Sequence, residues 1–63
     1  MYNIFNPDWE HINRFLPHMV SYRLKKGMKK TEIFTAIVDQ FFDGYYTEEI
    51  GKAICDEIRR QTA

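Results

Sequence analysis

The sequence predicts an all-α fold: a small bundle of three to four short helices in one domain covering residues 1–63. Three observations carry this. Apolar residues recur at three- and four-residue spacings through most of the chain, which is the period of a helix with one buried face. Residues that start helices (Asn6-Pro7, Thr47) stand just before those stretches. Residues that end them (Gly27, Gly44) stand just after.

Residues 1 to 6 read as extended. A first helix is expected over 7–16, with Asn6 as N-cap, Pro7 in the first helical position, and Asp8 and Glu10 at the positive end of the helix dipole. Trp9, Ile12 and Leu16 share its apolar face. Phe5 is placed to pack back on the first turn. Pro17 has no N–H and a ring that crowds the preceding turn, so it is expected to end or kink this helix. A second helix follows over 18–26, with Lys25 and Lys26 in its last turn and Gly27 beyond. The same stretch also reads as a strand over 19–25, because Val20, Tyr22 and Leu24 alternate with Ser21, Arg23 and Lys25.

The third helix, over 30–43, is the most distinctive. Ile33, Phe34, Ile37, Val38, Phe41 and Phe42 fill about half of its circumference, wider than the stripe of roughly 100° that an ordinary surface helix needs. It should therefore be packed on two sides. Either it is the central rod of a tiny core, or part of its stripe waits for another chain. Gly44 closes it in a left-handed conformation. Tyr45 and Tyr46 form a short connection, and Thr47 caps a fourth helix over 47–61 whose stripe is Ile50, Ile54 and Ile58. Gly51 is unfavourable inside that helix by about 1 kcal/mol relative to Ala. It is either an uncompensated surface glycine or the site of a close approach.

Composition bounds the function. A chain of 63 residues is marginal on its own and needs a staple, a partner or very good packing. Cys55 is the single cysteine, so no internal disulfide can form, and a reducing, cytoplasmic setting is expected. Cys55 itself, beside Asp56 and Glu57, reads as a buried, inert thiol. His11, His18 and Cys55 lack metal-ligand spacing, so no metal and no cofactor are expected. Nine basic residues balance nine acidic ones, which argues against a general nucleic-acid binder. No apolar run reaches membrane-spanning length. No nucleophile–base pattern, phosphate loop or paired-carboxylate spacing points to an enzyme with a small-molecule substrate. One tryptophan, four tyrosines and five phenylalanines are more aromatic surface than so small a core can enclose.

The expectation is a non-enzymatic regulatory or inhibitory module that binds another protein, itself, or both. The docking residues are read as Phe34, Phe41, Phe42, Tyr45 and Tyr46, since rigid aromatics dominate binding energies. The alternative rests on the run Arg23, Lys25, Lys26, Lys29 and Lys30, which crowds five of nine basic residues into eight positions. With a strand at 19–25, the order strand, helix, helix resembles a ribbon-helix-helix repressor. That resemblance implies a dimeric DNA-binding regulator, with Ser21, Arg23 and Lys25 facing the major groove. The charge of the run, which includes Lys26, Lys29 and Lys30, separately suits contact with nucleic-acid phosphates.

Overall fold

Three helices form: α1 Trp9–Lys25, α2 Lys30–Phe41 and α3 Glu48–Thr62. They come from a computed structural model that describes residues 6–63, so the expected staple at Phe5 lies outside the described residues. No strand occurs among the described residues.

The two expected N-terminal helices are one. Helix α1 begins two residues later than expected, at an N-cap formed by Asp8, whose Oδ1 accepts a 3.1 Å hydrogen bond from the backbone N–H of His11. It then runs without a break through Pro17. The missing proline N–H leaves the Asn13 carbonyl without its intrahelical donor, at a local cost of about 3 kcal/mol. Burial on both sides of the proline outweighs that cost. Ile12 and Leu16 before it and Val20 after it are all buried, and Met19 and Leu24 pack on the same cluster. A stripe that is continuous across the proline keeps the helix continuous.

The same burial corrects the strand reading of 19–25. In a strand, Val20 and Leu24 would share a face with Tyr22. Instead Val20 is fully buried while Tyr22 is exposed, as helical spacing demands. No ribbon forms, and Ser21, Arg23 and Lys25 do not line up along one side.

Gly27 ends α1 in a full Schellman arrangement. With Gly27 at φ 82°, the Met28 N–H reaches the Arg23 carbonyl at 3.2 Å and the Gly27 N–H reaches Leu24 at 3.0 Å. Helix α2 starts when Glu32 folds back to accept the Lys29 N–H at 2.8 Å. It stops at Phe41, two residues early, because Asp43 and Gly44 both take left-handed conformations (φ 58° and 85°). Helix α3 is capped by Thr47, whose hydroxyl oxygen accepts from the Ile50 N–H at 3.3 Å.

Each helix packs against the other two. The core is Ile12, Leu16 and Val20 from α1, Ile33, Ile37, Val38 and Phe42 from α2 and its C-cap, and Ile50, Ile54 and Ile58 from α3. Helix α2 is not a central rod, since α1 and α3 pack on each other as well, but most of its broad stripe is consumed inside the protomer. The Cα radius of gyration, 10.8 Å, matches the roughly 10.6 Å expected of a folded chain of this length. One carboxylate enters the packed region. Glu57 accepts from Arg60 and, at 2.7 Å, from Gln61 Nε2, which also donates to the Pro17 carbonyl at 2.9 Å. This network ties α3 to α1 at the proline.

Candidate functional site

The five expected docking aromatics separate into three groups. Phe42 is 2% exposed and belongs to the core, so it is not available to a partner. Phe34 and Phe41 are half-buried. Tyr45 and Tyr46 are exposed at 68% and 51%, the largest values among the tyrosines of the connection and the phenylalanines before it.

Tyr46 is held in place by its neighbours. Its ring meets Phe34 edge-on, with centroids 5.1 Å apart and planes at 88°. It also lies over Gly51, where an added Cβ would stand 3.0 Å from two ring carbons. The close approach that Gly51 permits is therefore by an aromatic side chain and not by another helix. Gly51 is buried although it lies on the slim side of α3.

Below this pair a groove of about 450 Å³ runs between α2 and α3, lined by Lys30, Thr31, Phe34, Thr35, Cys55, Ile58 and Arg59. Residues from the start of α2 meet residues from the end of α3, so the two helices are antiparallel there. The lining is mostly apolar, and Lys30 and Arg59 stand where α2 begins and α3 finishes. Cys55 is exposed in this groove, which corrects the expectation of a buried thiol. Its position follows from the α3 stripe: Ile50, Ile54 and Ile58 take the buried line, and Cys55 falls one residue off it.

The basic segment has a different character from the one the sequence suggested. Arg23 is folded onto the protein, donating to the Met19 carbonyl at 3.1 Å and to the Gln40 side chain. Ser21 is half-buried. Lys25, Lys26, Lys29 and Lys30 are exposed around the turn between α1 and α2. The Lys26 ammonium sits 4.5 Å from the centre of the Tyr22 ring. Lys26, as a hydrogen-bond donor and as a positive charge, holds the Tyr22 phenol below its ordinary pKa.

Continuity of α1 puts His11 and His18 on one helix, and both are exposed. The His11 ring lies against Phe15 at a tilt of 55°, with centroids 4.5 Å apart. No group of three His, Cys, Asp or Glu side chains with metal-binding geometry occurs among the described residues. No helix of the described residues is long and apolar enough to cross a membrane. A second crevice, about 430 Å³, lies between α1 and α3 around Pro17, Glu57 and Arg60. Its Glu57, Arg60 and Pro17 carbonyl are engaged in the Glu57 network described above. No protein-family model matches the chain, and no curated protein or solved structure matches it either.

Proposed function

We propose that the protein is a small, non-enzymatic regulatory or inhibitory module that acts by docking on a protein surface. The docking face is the α2–α3 groove with Phe34, Tyr45 and Tyr46. The observation that carries this reading is the arrangement of Tyr46. A half-exposed aromatic ring is fixed against Phe34 and over Gly51, beside a mostly apolar groove. A ring held rigid before binding loses little entropy on binding, which is what makes aromatic anchors effective.

The test is capture of a partner by the tagged full chain from lysate of its source cell, with the wild type and with Tyr45→Ser/Tyr46→Ser. Both tyrosines are solvent-exposed, so the variant keeps its helix content. The expected result is a co-purifying protein that is lost with the double variant. A partner retained by the double variant, or lost only when Tyr22 is replaced, would place the docking surface elsewhere.

A second reading is favoured by one observation: four exposed lysines surround a single turn. Nucleic-acid phosphates suit such a cluster, though it supplies no base readout. This reading predicts duplex binding with a log–log salt slope near −3 to −4, and a slope reduced by about 1 for each lysine replaced with Ala. No binding at about 50 µM protein and low salt would remove it.

A further inference from the structure

We infer that a second copy of this chain packs antiparallel along the outer face of α1, where a line of ring side chains runs between an acid and a base. This surface is separate from the α2–α3 groove, so the inference goes beyond the docking role and does not depend on it.

The continuity of α1 through Pro17 creates this line. Asp8, His11, Phe15, His18, Tyr22 and Lys25 follow one another at alternating spacings of three and four residues. That is the repeat by which one helix lays side chains along another. At about 100° per residue the six fall within an arc of about 100°, centred about 130° round the helix from Ile12, Leu16 and Val20. All six are exposed, Phe15 at 43% and Tyr22 at 56%. Pro17 stays off this face, in the crevice against Ala53 and Glu57 of α3. The rings are already braced within the protomer. His11 lies against Phe15, and the Lys26 ammonium sits over Tyr22. Side chains held in place beforehand lose little freedom on association.

The ends of the line decide the orientation. Asp8 stands at one end and Lys25 at the other, and among the described residues neither forms an ion pair. A parallel pair would set Asp8 on Asp8 and Lys25 on Lys25, which repels. An antiparallel pair, with its twofold axis midway between residues 16 and 17, sets each Asp8 against the partner's Lys25. The same axis sets His11 against the partner's Tyr22, and Phe15 against the partner's His18. One axis thus matches all six residues, and an isologous contact makes each pair twice. A notch of about 290 Å³ lies at the Asp8 end of the line, bounded by Asp8, Glu10, His11, Arg14 and Phe15. The antiparallel register brings the partner's Tyr22 to this notch, where the ring meets Phe15 and His11 and its hydroxyl meets polar groups. Glu10 and Arg14 offset each other there, 3.6 Å apart. A contact between two helices of about five turns falls below about 1,200 Å² in total, so the dimer is a reversible one.

Sedimentation equilibrium of the full chain, from low micromolar to about 1 mM, tests this. The expected result is a monomer–dimer equilibrium that weakens with added salt. Phe15→Ala and Tyr22→Ala are each expected to weaken it about tenfold or more. Both rings are exposed and alanine is the better helix former, so α1 keeps its fold. Asp8→Asn removes the charge while keeping an oxygen that caps α1, and Lys25→Gln removes the opposite charge. Each is expected to weaken the dimer about fivefold, and the double variant no further, because the second loss finds its partner already gone. Cross-linking reads the direction. In a Cys55→Ser background, a short bis-maleimide joins two copies through His18→Cys, whose copies lie about 5 Å apart along the axis. It does not join them through Lys25→Cys, whose copies lie roughly 25 Å apart. A monomer at about 1 mM overturns the proposal. So does a dimer indifferent to Phe15→Ala and Tyr22→Ala, a pair of charge losses that simply add, or linking through Lys25→Cys.

Discussion

At the scale of single residues, Gly51 and Tyr46 are one device. Glycine in the middle of α3 gives up about 1 kcal/mol of helix stability relative to Ala. In return the Tyr46 ring lies against the helix and meets Phe34 edge-on, a contact worth about 0.5–1.5 kcal/mol. The two terms nearly cancel, so Gly51→Ala should change stability by less than about 1 kcal/mol in urea denaturation. The ring should nonetheless leave its place, seen as loss of Phe34–Tyr46 cross-peaks in a nuclear Overhauser spectrum. In a Tyr46→Ala background the steric term is absent, and the same Gly51→Ala change should stabilise the protein by about 1 kcal/mol. Equal effects of Gly51→Ala in both backgrounds would separate the two residues. The Tyr22 phenol offers a second check. Lys26 favours the phenolate, so Lys26→Ala should move the phenol pKa up towards 10.0 in an absorbance titration. The folded-state pKa is depressed, so the stabilisation it brings is present only above the unfolded value and fades as pH falls through the folded one. It therefore acts at alkaline pH and plays no part near neutrality. Neither device was legible in full beforehand. Gly51 stood out as costly, but the sequence did not say whether a backbone or a ring would come close.

At the scale of elements, α1 shows where local signals and tertiary packing part ways. Pro17 is a strong local stop, and by that signal alone the chain divides into two helices there. Yet the run Ile12, Leu16, Met19, Val20 and Leu24 keeps helical spacing straight across the proline, and that continuous stripe decided the outcome. Pro17→Ala should accordingly stabilise the protein by about 1–2 kcal/mol, the restored hydrogen bond and relieved crowding exceeding the entropy released to the unfolded chain. A midpoint that falls on this substitution would mean that the Pro17–Gln61–Glu57 network depends on the proline itself. Helix caps were more readable, because they depend on a few adjacent residues. Thr47 caps α3 as expected, and Thr47→Ala should lower stability by about 1 kcal/mol. Gly27 and Gly44 close the two helices before them, each at positive φ. The start of α1 lies two residues beyond the Asn6-Pro7 signal because Asp8 is as good an N-cap as Asn6 and takes that role.

At the scale of the whole molecule, the broad apolar stripe of α2 has two destinations. Ile33, Ile37, Val38 and Phe42 complete a core that one protomer supplies alone. The remainder lies at the α2–α3 groove, where Phe34 and Tyr46 stand at its edge. The sequence showed the excess but not its division, because which half of a wide stripe faces inward depends on where the other two helices settle. Phe42→Ala should thus unfold or strongly destabilise the protein, by about 3–5 kcal/mol, whereas Tyr45→Ala should change stability by less than about 0.5 kcal/mol. The central claim is that the leftover surface is used on the α2–α3 face. It is tested most directly by amide chemical shifts of the labelled full chain followed on addition of the protein that the tagged chain captures. The account predicts shifts confined to 30–35 and 45–59, with residues of α1 unchanged. Shifts centred on α1 would contradict it.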